Sequence, residues 1–430
     1  MPRFILRFTC LLLIIPFLPR VGSDAAATRE IPQSEKLLVL ADELMPAIVR
    51  LRGLEAKAPI QKGIKTREEV SQIIGKEVGD RDVKAVLERE SVLLKKLGLI
   101  PPEMNYVEFR LKLLTEQVGG FYDPEKKALY IAGWLSTDEQ KPALVHELTH
   151  ALQDQHFDLH RMMKKDRATQ NDDLSLAHQA LAEGDATAVM LDFLLEPMGM
   201  SIMRLPDLMP VLRMQLSMAA GQFAVLQSAP EFIRESLMFP YIYGVSFIQK
   251  ARAKNESWAE INGMYADLPA SSEQILHPDK YLAQRDHPRS VKVENPAPRL
   301  GKGWKMTYKN VMGEFSMYLL LKLHLPEDVA RKAAAGWGGD QVILVQSEAE
   351  KRSAVFLEAL WDEQDSADRL YGALSAWLHK KHPESRPVSE SDSGIALTSD
   401  GEYHSLRKRG STLRLILGLP ENLSGKIDNR

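Results

Sequence analysis

Leu144-Val145-His146-Glu147-Leu148-Thr149-His150-Ala151-Leu152 is the stretch on which the reading of this chain turns. Histidines four residues apart lie one above the other on a helix face, so their imidazoles can grip one Zn²⁺. Glu147 follows the first histidine and points to the neighbouring part of that face. From there its carboxylate can reach water that the metal acidifies, take a proton and hand it to a leaving amine. The flanking Leu144, Val145, Leu148, Ala151 and Leu152 are apolar, and Glu147 is the one charge among them. A solvated surface helix would carry more charge than this. A buried helix bearing three such polar side chains needs something to satisfy them, and a metal does. The pattern predicts metal-assisted hydrolysis, with His146 and His150 as zinc ligands and Glu147 as general base.

A catalytic zinc takes three protein ligands and leaves one position open. Two candidates stand for the third. Glu183 lies in Leu181-Ala182-Glu183-Gly184-Asp185-Ala186-Thr187, on a second apolar helix expected over about 172–195 and able to lie antiparallel to the first. Asp185 is then placed to orient a ligand histidine. His156 is the rival, six residues after His150. That spacing requires the helix to stop and turn between the two ligands, yet Gln153 is a good helix former and no breaker precedes His156. Glu183 is therefore favoured. His160 and His178 read as ordinary surface or network histidines. In the loop Ser272-Glu273-Gln274-Ile275-Leu276-His277-Pro278, His277 is the candidate donor to the oxyanion formed when a peptide carbonyl is attacked, with Tyr281 behind it.

Several stretches together resemble the zincin superfamily of metallopeptidases and its glutamate-ligand branch, the gluzincins. They also resemble a group of uncharacterised bacterial secreted zinc-peptidase-like proteins. The likeness rests on Gly120-Phe121-Tyr122-Asp123-Pro124, His146 through Phe157, Glu183-Gly184-Asp185-Ala186, Ser272 through Pro278 and Gly336-Trp337-Gly338-Gly339-Asp340, within roughly residues 105–375. The gap from His150 to Glu183 is longer than the usual gluzincin spacing. The resemblance implies a zincin-like core, zinc as cofactor and a peptide or protein substrate. Two other functions stay open: a zincin fold used for binding or scaffolding with little hydrolysis, and a zinc amidase acting on the cell wall.

The N-terminus reads as a targeting segment. Arg3 and Arg7 precede an apolar run from Phe8 to Pro19, and small residues at Val21-Gly22-Ser23 offer a cleavage site. Export to a bacterial periplasm or beyond follows. A retained anchor, with membrane contact, is the alternative. Cys10, the only cysteine, lies inside this segment, so the mature chain would have no disulfides and no thiol chemistry. A net charge of −3 over 430 residues with mixed signs throughout indicates no nucleic-acid face. Oligomeric state is not legible.

The expected class is mainly α with a small β-sheet (α+β). The expected units are a signal peptide (1–23), an N-terminal helical region (24–104), a zincin-like catalytic core (105–285), a C-terminal α+β unit (286–382) and a polar, partly disordered tail (383–430). Helices are predicted over 33–57 and 81–97, with a capped start at Thr66-Arg67-Glu68-Glu69. Phe121-Tyr122 and Ala128 to Ile131 flank the turn Asp123 to Lys127 as a hairpin, whose second arm is a candidate edge for an extended peptide. Eight methionines between 190 and 238 are assigned to helix packing rather than to a pliable groove or a membrane-facing surface.

Overall fold

The computed structural model describes residues 8–11, 33–221 and 223–427. Most of the expected signal peptide, residues 1–7 and 12–23, lies outside them. Phe8–Leu11 is described and forms a strand, β1. No helix among the described residues is long and apolar enough to cross a membrane. The chain is mainly helical with two sheets, an α+β protein.

In the first half, α1 (Gln33–Arg52) leads into β2 (Gln61–Lys65) and α2 (Arg67–Val78). Thr66 and Glu69 close a capping box at the start of α2, each side chain taking the other's backbone N–H. Next come α3 (Arg81–Leu97), ended by Gly98 in the left-handed conformation, and α4 (Tyr106–Gln117). The hairpin is β3 (Val118–Asp123) and β4 (Ala128–Ala132). Ser136 and Glu139 then cap α5 (Thr137–Phe157), which carries the histidines. Asp158, left-handed, turns the chain into α6 (Leu159–Thr169), and α7 (Asp172–Leu195) follows.

The first sheet has the order β1-β3-β4-β2. The hairpin's second arm, β4, is therefore a central strand, since β2 pairs parallel to it. β3 is central as well, since its other side carries β1 in antiparallel register, Phe8 opposite Tyr122, and the edges are β1 and β2.

After two short 3₁₀ turns come α8 (Met209–Ala220), α9 (Ala224–Gln227) and α10 (Glu231–Arg252). The assignment of the methionines to packing is corrected here. Met190 and Met238 are buried, but Met198, Met200, Met214 and Met218 are exposed. Helical spacing alone does not say whether an apolar face has a partner. Short helices α11 (Ala259–Met264), α12 (Ser272–Leu276), α13 (Asp279–Leu282) and α14 (Ala297–Leu300) lead to the C-terminal half.

That half is built on β5 (Trp304–Asn310), α15 (Gly313–Lys322), α16 (Glu327–Ala334), β6 (Trp337–Ser347), β7 (Arg352–Trp361) and α17 (Gln364–Lys381). The expected polar tail is not one. It forms β8 (Arg386–Ser391), β9 (Gly394–Ser399), β10 (Glu402–Arg409) and β11 (Thr412–Pro420). All seven strands make one antiparallel sheet, β5-β6-β7-β11-β10-β9-β8, with β11 inserted beside β7. Asp392-Ser393, Asp400-Gly401 and Gly410-Ser411 make the hairpin turns, while Leu413, Leu415 and Leu417 of β11 are buried. Both faces of the sheet are covered. Val342, Leu344 and Leu357 join the main core, whereas the alternate residues Ile343, Val345 and Phe356 pack in a second cluster with Leu300 and Trp304.

Candidate metal centre

Helices α5 and α7 lie side by side: Gln153, late on α5, donates through Nε2 to the carbonyl of Ala182, in the middle of α7 (3.1 Å). This brings His146, His150 and Glu183 together. Their facing atoms form a small triangle, His146 Nε2 to Glu183 Oε2 3.0 Å, His150 Nε2 to Glu183 Oε2 3.3 Å and the two Nε2 atoms 3.0 Å apart. Ligands at about 2.0–2.1 Å around a tetrahedral zinc stand about 3.3 Å from one another. The triangle fits that spacing, and two imidazoles with one carboxylate are a zinc donor set. All three residues are buried. Burial alone would raise the Glu183 carboxyl, but the charge of His150 and hydrogen bonds from both histidines outweigh it and hold it down at about 2. Burial lowers the His146 pKa. A bound metal requires the carboxylate ionised and each ligating imidazole nitrogen free of its proton.

His150 is oriented by its neighbour one turn on. Its Nδ1 lies 2.7 Å from Gln153 Oε1, which accepts the Nδ1 proton and leaves the Nε2 lone pair facing the triangle. Gln153, expected only to keep the helix running, thus has a second role. Asp185 does not have the role expected of it. Its carboxylate is taken by the Arg52 guanidinium at 2.6 and 2.9 Å and by the Tyr265 hydroxyl at 2.9 Å. The buried Arg52–Asp185 pair ties the end of α1 to the ligand helix, so the N-terminal region is part of the same body.

Glu147 is held from the sheet. Its Oε2 accepts the backbone N–H of Tyr122 at 2.6 Å. The Tyr122 hydroxyl donates in turn to Asp154 (2.9 Å), one turn past His150, so β3 is fixed to α5 at two levels.

His156 stays on an unbroken α5, which runs to Phe157, and its Nε2 lies 2.7 Å from the carbonyl of Glu55. It is not brought to the triangle. His178 pairs with Asp166 (2.8 Å). His277 is a correction. Its Nε2 lies 2.7 Å from Glu314 Oε1, and the adjoining Ser272 is bonded to Asp173. Asp173 is ten residues before Glu183 on α7, about 15 Å along a helix axis. His277 therefore belongs to the far end of that helix, where a loop position gives no hint of depth. Tyr281 is likewise committed, donating to the carbonyl of Asp267 (2.6 Å).

One aromatic residue at the site had no motif to mark it. Tyr241 on α10 is buried, with its ring centroid 6.1 Å from that of His146. Two glycines bring it there. A Cβ at Gly184 would meet Gly244 backbone carbon at 2.3 Å, and one at Gly244 would meet the Ala180 carbonyl oxygen at 2.2 Å. Only bare backbone lets α10 lie this close to α7 beside Glu183. A second carboxylate group, Glu273, Asp286 and Asp362, is already served by a cation, since Lys280 Nζ lies 2.6, 2.7 and 3.1 Å from the three.

Residues 303–424 match a family model described as a domain of unknown function (DUF8575). The match covers the seven-stranded sheet with α15 to α17 and includes no residue of the metal triangle. No curated protein and no solved structure matches the chain.

Proposed function

We propose that this protein is a zinc-dependent peptidase with a zincin-like core, exported by its N-terminal segment. The observation that carries the reading is the convergence of His146, His150 and Glu183 with Glu147 anchored beside them. When bound, zinc supplies a Lewis acid that lowers the pKa of water and polarises a carbonyl. His146, His150 and Glu183 would hold it. Glu147, adjacent to His146 and fixed to β3, takes the proton from the attacking water and returns it to the leaving amine. A site that only holds metal has no use for a base at that position. The antiparallel docking of Phe8–Leu11 on β3 supports a substrate taken as a strand in the place of β1, main chain to main chain, beside the strand to which Glu147 is bonded.

Casein hydrolysis by the zinc-loaded protein tests the reading, with Glu147→Gln as the companion. The variant should keep zinc and fold while turnover drops by roughly 10²- to 10⁴-fold. Equal hydrolysis by both proteins removes Glu147 from the chemistry. Release of peptidoglycan fragments with casein left intact would instead favour the cell-wall amidase.

A further inference from the structure

Far from the metal triangle, the C-terminal half buries hydrogen-bond donors that no acceptor meets. His404 on β10 is 2 % exposed, and its Nδ1 takes the backbone N–H of Gly418 at 3.3 Å. The ring proton is therefore on Nε2, which points away from Gly418 and has no partner among the described residues. A nitrogen that carries its proton has no lone pair for a cation, so the group His404 lacks is an acceptor rather than a metal. The ring of His382 lies against it, centroids 3.9 Å apart, and His382 Nε2 is likewise buried without a partner. Lys381, the last residue of α17, adds an ammonium that pairs with no carboxylate among the described residues. Basic residues in the last turn of a helix commonly answer its dipole. Lys380 instead reaches the carbonyl of His324 (2.8 Å), and Lys381 turns to α3, where a Cβ on Gly98 would stand 3.0 Å from its Nζ.

We propose that this cluster binds a small oxyanion of the phosphate class, with His404 Nε2–H and the Lys381 ammonium as donors and Lys96 adding positive charge. The carboxylates nearby are already held: Glu402 by Lys96, and Asp400 by the Ser399 hydroxyl at 3.3 Å. Neither bonds a histidine. Donors carried by two elements, α17 and β10, suit a tetrahedral anion, whose oxygens face several ways, better than a planar carboxylate. Burial strengthens each such bond, and charge on the acceptor strengthens it further. The anion enters at the end of α17, where Lys381 and His382 are half-buried, and the His382 ring turns aside to admit it. Lys96 comes from α3, while the other residues lie within the segment matched by the family of unknown function. The site thus gives that unit a ligand, and it does not depend on the peptidase reading.

Calorimetric titration of the full chain with inorganic phosphate, near neutral pH in a zwitterionic buffer, tests the proposal. Wild type and Glu183→Ala should bind phosphate here with the same Kd, which separates this site from phosphate drawn to zinc in the triangle. Lys381→Met removes a charged donor and should weaken binding by roughly 10- to 100-fold. Lys380→Met should bind as wild type. His404→Met removes the other donor and should also weaken binding; should it unfold, Lys381→Met decides alone, since Lys381 is half-buried and its ammonium holds no other group. Glycerol 3-phosphate identifies the source. Binding as tight as that of phosphate points to a phosphoryl group carried by a larger molecule, and binding of phosphate alone points to the free anion. The proposal is overturned by no saturable binding of phosphate, by binding lost in Glu183→Ala, by an unchanged Kd in Lys381→Met, or by acetate binding as tightly as phosphate.

Discussion

His146 and His150 meet edge to edge, ring centroids 4.7 Å apart and planes at 83°, whereas His382 and His404 lie ring on ring at 3.9 Å and 33°. His146, His150 and His404 are buried and His382 is half-buried, yet the surroundings give the two pairs opposite chemistry. In the first pair a side-chain acceptor, Gln153 Oε1, takes the Nδ1 proton of His150, and the Nε2 atoms converge on a carboxylate. In the second, the backbone N–H of Gly418 donates to His404 Nδ1 at 3.3 Å, which puts the ring proton on Nε2. His404 Nε2 and His382 Nε2 have no hydrogen-bond partner among the described residues. The ammonium groups nearby are those of Lys96, paired to Glu402, and Lys381. The first pair offers lone pairs to a cation, and the second offers the buried proton of His404 in a positive field. What separates them is the partner at Nδ1 and the sign of the neighbouring charge, since the residue type is the same.

The sharpest way to break this contrast is to remove the carboxylate. Glu183→Ala should reduce zinc from one per chain to none, whereas His156→Ala and His404→Gln should each retain it, as read by elemental analysis of the dialysed proteins. Zinc at about 100 times its Kd should add about 2.7 kcal/mol to the wild type and nothing to Glu183→Ala. Metal kept by Glu183→Ala and lost by His156→Ala would transfer the third ligand to His156.

Acid should find the second pair. Burial, with Lys381 and Lys96 adding, pushes His382 down to about 4; burial, with His382 and Lys96 adding, pushes His404 down to about 3. Unfolded histidine titrates near about 6.5. Between that value and the depressed ones the unfolded chain binds more protons, so this contribution is complete above about 6.5 and is lost as pH falls toward about 4. His404→Gln removes one such group while leaving an acceptor for Gly418 N–H. Urea unfolding at pH 7 and pH 4.5, with EDTA throughout to exclude metal, should show the variant losing about 2 kcal/mol less than wild type. Equal losses would mean that the pair does not control acid stability.

A smaller effect tests the helix contact that brings α10 to the metal helices. Gly244→Ala places a methyl 2.2 Å from the Ala180 carbonyl oxygen and should cost about 1–3 kcal/mol in thermal or urea unfolding. Gly263→Ala on α11, where nothing lies within 4 Å, should be neutral or stabilising by up to about 1 kcal/mol. Similar losses in both would show that the Gly184–Gly244 approach is not under packing constraint.

Local signals in the chain were enough for several features. The i, i+4 spacing of His146 and His150 on an apolar helix, the capping box at Thr66 and Glu69, the Gly98 stop and the β3–β4 hairpin each depend on residues within a few positions of one another. Helix continuity through Gln153 to Phe157 was legible too, and with it the reason His156 stays away from the triangle. Relations across the fold were not legible. Asp185 was given to a histidine because the two are neighbours in the motif, but Arg52 lies 133 residues away and claims it. His277 looked catalytic in a loop next to Pro278, and Glu314 on α15 accounts for it. Residues 386–420 looked like tail because their turns are polar, and only pairing of β11 with β7 makes them core. Tyr241 carries no motif, and a Gly–Gly helix contact places it. Sequence by itself determined the chemistry that a single helix turn can present. Tertiary structure decided which groups complete, orient or neutralise it, because burial, partner charge and the direction of a shared proton depend on side chains that meet only after folding.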